Sequence, residues 1–217
     1  MIESISSVIN ANKIWNYVPV KTVDELFNRI VVHLLIQNER SENEEGCRYF
    51  YVDSLTDAMN PKVLQCAVGP LLNINHYDEE LHESLPIDQI QIEGLVQESN
   101  PELHLNFEVL NILQWFQYIH DSVEPNLWYF ACYLLWRDMN FLVSYNKDFV
   151  KVNDLGSSFG PNNNDQKHMY RAVARLLAGI NQKENFREQF LEQEKLGVSP
   201  IDFFKNNSLS ASFYKIK

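Results

Sequence analysis

Asp138, Asn140 and Asp154 are acidic and amide side chains of the stretch that carries this chain's echo of catalytic sequence. A second polar group, His76-Tyr-Asp78-Glu79-Glu80-Leu-His82-Glu83, offers imidazole and carboxylate ligands for a first-row metal. A spacing of six, however, sets His76 and His82 on different faces of a helix, with no second pair nearby in sequence. That cluster therefore reads as a solvated acidic loop, and no metal or other cofactor is expected. A third group, Glu42, Glu44 and Glu45, lies in the acidic run Glu39–Gly46. His33, His104, His120 and His168 are scattered, and no serine elbow, HExxH or cysteine with an evident histidine partner appears.

The run Trp136-Arg-Asp138, followed by Asn140-Phe-Leu-Val and Val152-Asn-Asp154-Leu-Gly156, resembles the catalytic and metal-binding loops of protein kinases. The resemblance implies that Asp138 orients a substrate hydroxyl and Asp154 holds magnesium. Its departures are specific: Asn140 follows Asp138 by two residues where kinases use five, and Trp136 stands in the histidine's place. No glycine-rich strand-turn-strand or Val-Ala-Ile-Lys motif precedes it. Asp154-Leu-Gly-Ser-Ser-Phe-Gly160 could also cradle a phosphate, but it lacks the Lys-Ser/Thr of a P-loop and reads as a plain turn.

Charge narrows the choice of partner. The chain has 217 residues and a net charge of −11. Residues 1–108 carry 18 acidic and 6 basic side chains, whereas the remainder is close to neutral. Such a field repels phosphate backbones and steers basic proteins, so nucleic acid is disfavoured and a protein partner, possibly basic, is expected. Three cysteines (Cys47, Cys66 and Cys132) in apolar contexts, without a close pair, suggest reduced core thiols and no disulfide. The first residues lack the basic and uninterrupted apolar regions of a secretory signal, which together with the thiols gives a cytoplasmic expectation. Leu127–Trp136 is apolar all round but shorter than the roughly 20 residues of a membrane span, so it reads as a buried core element, a helix by preference, with Tyr129, Phe130 and Tyr133 leaving a strand open.

Elements positioning these residues follow from periodicity. Ile2, Ile5, Val8 and Ile9 suggest a short helix. Thr22 with Glu25 forms a capping box opening a helix whose stripe is Leu26, Phe27, Ile30, Val31, Leu34 and Leu35. Arg48–Val52 reads as a strand buried on both faces, Asn60-Pro61 as a helix start running to about Ala67, and Leu71–Ile74 as a second strand. Ile87, Ile90 and Ile92 suggest an edge strand, and Asn100-Pro101 a helix start reaching Asp121-Ser122. The core helix should end near Arg137, with Phe141–Tyr145 and Phe149–Asn153 forming a hairpin. Asp165 should cap a helix with Lys167, Arg171 and Arg175 as a basic ridge, followed by helices over about Asn181–Leu196 and after Ser199-Pro200.

These expectations give a single α+β (or α/β) domain over residues 1–217, a mixed sheet of about four to six strands packed by five to seven helices. The expected function is protein binding, as an acidic inhibitor, immunity-type protein or adaptor, through Glu42, Glu44, Glu45, Asp78, Glu79, Glu80 and Glu83. No catalytic residue is assigned on this reading. The alternative is a magnesium-dependent, degenerate kinase-like enzyme using Asp138 and Asp154.

Overall fold

Helix α1 (Val23–Gln37) forms the centre against which the other elements pack. In a computed structural model, residues 17–44, 46–53, 62–83, 85, 90–145 and 186–206 are described, with the backbone only at 79, 80, 90 and 138–145. The capping box is present: Thr22 Oγ1 accepts from Glu25 N–H at 3.2 Å, and Glu25 Oε2 accepts from Thr22 N–H at 3.3 Å. The six expected apolar side chains are the buried ones, and Asn38 ends the helix in the left-handed region (φ 50°). Asparagine tolerates that conformation better than most residues.

Two short antiparallel hairpins follow, β1 (Glu42–Asn43) with β2 (Gly46–Cys47), and β3 (Phe50–Asp53) with β4 (Lys62–Gln65). The described residues thus form a mixed helix-and-strand fold with two separate two-stranded sheets. They do not form one mixed sheet of four to six strands, nor a strand–helix–strand unit. Lys62-Val-Leu-Gln is a strand and not a helix, because Val63 and Leu64 pair with Val52 and Tyr51 of β3. β3 buries Phe50 alone; Tyr51, Val52 and Asp53 are half-buried, so the expected two-faced burial is absent. In place of a strand at Leu71–Ile74 there is a 3-10 turn at Gly69–Leu71. Gly69 makes that turn possible: a Cβ there would lie 2.7 Å from Gln65 Cβ and 2.8 Å from the Tyr49 carbonyl oxygen.

The short helix α2 (Glu79–His82) precedes α3 (Ile90–Ser99). The expected edge strand is therefore helical at Ile90 and Ile92, while Ile87 lies outside the described residues. Asn100 terminates α3 instead of opening the next helix, its N–H bonding to the Val96 carbonyl at 3.0 Å. Its side chain is fully buried and fully used. Nδ2 donates to Leu71 O and Val96 O, each at 2.8 Å, while Oδ1 accepts from Val20 N–H at 2.9 Å and lies 2.6 Å from Tyr17 Oη. Helix α4 (Phe107–Ser122) starts later, where Asn106 Oδ1 caps Val109 N–H at 2.9 Å.

A 3-10 turn (Pro125–Leu127) leads into α5 (Trp128–Tyr145), confirming that the uncharged run is a helix. It extends beyond Arg137, so Phe141–Tyr145 is helical and not a hairpin strand; residues 146–153 lie outside the described ones. Trp128 through Leu135 are buried, as a core helix requires. Helices α6 (Phe186–Lys195) and α7 (Pro200–Asn206) close over it. Tyr129 stacks on Phe186 (centroids 5.6 Å, 12°), and Phe204 meets Tyr129, Tyr133, Trp136 and Phe27 at 5.6–6.4 Å. One continuous apolar core runs through all of these elements. The helix expected at residues 2–9, the loop after Gly156, and the Asp165 helix with Lys167, Arg171 and Arg175 lie outside the described residues.

Candidate functional site

Chemistry-bearing groups converge where the β1–β2 hairpin meets the end of α4. Among the described residues, Cys47, His120 and Asp121 are the one group of three potential metal ligands within 4.8 Å of one another. His120 Nδ1 lies 2.7 Å from Asp121 Oδ1 and 3.5 Å from Cys47 Sγ, and Gln117 Nε2 donates to Cys47 Sγ at 3.2 Å and to Asp121 Oδ1 at 2.9 Å. The fully buried His120 ring also stacks on Trp128, with centroids 5.4 Å apart.

Protonation decides what the cluster can do. Ser41 N–H donates to His120 Nε2 at 3.0 Å, so Nε2 must present a lone pair and the ring proton sits on Nδ1, facing Asp121. Burial lowers the His120 pKa, while Asp121 and Cys47 raise it to a net value of about 9. A second proton nonetheless has no place on Nε2 while the Ser41 amide points at it, so the bonded ring is neutral. Asp121 is pushed up by burial but held below the usual carboxylate range by bonds from His120, Cys47 and Gln117. The Cys66 thiol, and then burial, push the Cys47 thiol far up, so it stays protonated.

This arrangement is a poor nucleophilic dyad, because Cys47 and Asp121 face the same ring nitrogen and the other is occupied. It is a poor metal centre too. A metal on Nδ1 would move the ring proton to Nε2, directly against the Ser41 N–H. What it does well is fasten the hairpin. Ser41 and Cys47 grip His120 and Gln117 from both sides of the turn, and Arg40 donates to carbonyls at the end of α4, His120 O at 3.2 Å and Val123 O at 3.1 Å. His120 O, in the last turn of α4, gains a partner in this way, while Val123 O just past the helix is shared with Trp128 Nε1 at 3.0 Å.

The expected site residues fall into three situations. Glu42 and Glu44 are exposed on the fastened hairpin and Asp78 is exposed beside α2, whereas Glu45 and the side chains of Glu79 and Glu80 lie outside the described residues. Glu83 is no free surface charge: Oε1 accepts Tyr49 N–H at 2.7 Å, and burial raises its pKa to about 7. His76 and His82 do not converge. His76 lies 3.5 Å from Glu98, and the buried His82 accepts Asp78 N–H through Nδ1 at 2.9 Å. The backbone at Asp138 and Asn140 is continuous helix, not the loop that the kinase resemblance implies, and Asp154 lies outside the described residues.

The Cys47–His120 contact joins residues 73 apart, and no periodicity or motif spacing marks it. Among the described residues, no helix is long and apolar enough to cross a membrane. The chain matches no known family model, curated protein or solved structure.

Proposed function

We propose that this chain is a protein-binding module, an inhibitor, immunity-type protein or adaptor acting in the cytoplasm, that presents a rigid acidic hairpin to a basic protein. One observation carries the reading: the hairpin bearing exposed Glu42 and Glu44 is clamped through Arg40, Ser41 and Cys47 to the buried end of α4. A two-residue hairpin is marginal by itself, so such fastening removes ordering cost from the binding step. Asp78 extends the same charge sign, while Glu83 contributes structure and little charge.

The test compares the wild-type chain with Glu42→Lys/Glu44→Lys in capture of host proteins at about 0.05 M and about 1 M salt, where screening is weak and strong respectively. Salt-sensitive capture of a basic protein, lost in the double reversal with the melting point unchanged, supports the reading. Capture that ignores both salt and charge reversal would sink it.

A further inference from the structure

A cleft of about 570 Å³ lies between α1 and the turn joining α6 to α7. This volume is within the range of small-molecule sites. Its walls include Val18, Val32, Pro70, Val198 and Pro200. Asn28, Arg29 and His33 of α1 supply polar groups on one wall, with Glu194 and Ser199 on the facing side. Asn28 and Arg29 are adjacent, and Val32 and His33 lie one turn further on the same side.

These polar groups are only partly engaged. Arg29 Nη1 donates to the Val18 carbonyl, and its guanidinium lies 5.9 Å from the Tyr17 ring centroid. Among the described residues no carboxylate lies within ion-pair distance of it, although Glu25, one turn earlier on α1, favours its charge. Asn28 Oδ1 accepts Ile201 N–H at 3.1 Å, which leaves the amide NH₂ to donate. His33 Nε2 lies 3.1 Å from the Gln65 carbonyl and must donate to it, leaving Nδ1 as an acceptor. Burial lowers the His33 pKa to about 4, so the ring is neutral near pH 7.

We propose that this cleft binds a small, largely apolar molecule carrying one carboxylate, with the acid at Asn28 and Arg29 and the apolar body along Val32, Pro70 and Val198. A guanidinium with spare N–H groups beside a free amide donor matches a carboxylate. Glu194 on the cleft wall opposes a second negative charge, which disfavours diacids and phosphates. Nothing in this inference depends on the acidic hairpin.

The experiment titrates benzoate, phenylacetate and octanoate, with benzamide as the uncharged control, followed by calorimetry and by NMR shifts of α1 amides. Saturable binding of at least one acid, at least tenfold tighter than benzamide, is expected. Arg29→Met should weaken it at least tenfold, and Val32→Trp, which fills the cleft, should abolish it. Melting curves show whether each variant folds; should Arg29→Met fail to fold, Val32→Trp and the acid–amide comparison decide. The proposal is overturned if no acid saturates, if benzamide binds equally well, or if folded variants bind like wild type.

Discussion

Arg187 Nε donates to the carbonyl of Leu35 at 2.8 Å, joining residues 152 apart and closing the C-terminal end of α1 from α6. Arg40 does the same for α4 at His120 O, so the ends of two helices are completed by arginines distant in sequence. Removing such a cap leaves carbonyls near the helix end without a partner. Arg187→Met, which keeps the aliphatic stem, should lower stability by about 1 kcal/mol in urea unfolding. An unchanged midpoint would show that water replaces the guanidinium without loss.

Phe204 has no exposed surface and meets four aromatic rings, so its removal opens a cavity where α1, α5 and α7 join. Phe204→Ala should cost about 3–5 kcal/mol. Phe130, 9% exposed at the edge of the same cluster, should cost less. Reversal of that order in thermal melts would mean the core is centred elsewhere.

Asn100→Leu keeps the volume of the side chain but leaves Val20 N–H without its acceptor, while Leu71 O keeps Tyr17 Oη and Val96 O keeps the backbone N–H of residue 100. A buried group left without a partner costs about 1–3 kcal/mol, so a loss in that range is expected. Hydrogen exchange at Val20 N–H should accelerate in step with global unfolding. Protection equal to the wild type would contradict this.

His33 and Glu83 should oppose each other as pH changes. Burial lowers His33 from 6.5 to about 4, so its contribution is complete above the unfolded value and is lost as pH falls through that interval. Burial raises Glu83 from 4.5 to about 7, so its contribution is present below the unfolded value and is lost as pH rises toward 7. Between pH 4.5 and 6.5 these two contributions should therefore offset each other in the wild type. Glu83→Gln should expose a decline toward acid on the order of 2 kcal/mol from His33. A flat profile in that variant would remove His33 from the account.

Local signals were legible in the chain and long-range ones were not. The capping box at Thr22, the six-residue stripe of α1 and the uncharged core helix each depend on neighbours within a few turns, and each formed as expected. Asn60-Pro61 and Asn100-Pro101 look like helix starts in isolation. Pairing with β3 makes residues 62–65 a strand, and the buried bonds of Asn100 make it a helix terminator. The same limit applies to the site. Exposed Glu42 and Glu44 are visible as charge in the chain, but the grip of Ser41 and Cys47 on His120 exists only after β1, β2 and α4 have met.

Gln37 makes one further arrangement of consequence. Its side-chain amide accepts Gln65 N–H at 2.9 Å and donates to Gln65 O at 2.8 Å, on the side of β4 facing away from β3. A single side chain thus occupies the place that the peptide group of a neighbouring strand would take. At that position the sheet is closed to self-templating: another chain adding itself edge to edge must first evict a bidentate occupant tethered to α1. His33 Nε2 bonds the same Gln65 carbonyl at 3.1 Å, so two side chains of α1 cover this stretch of open ladder.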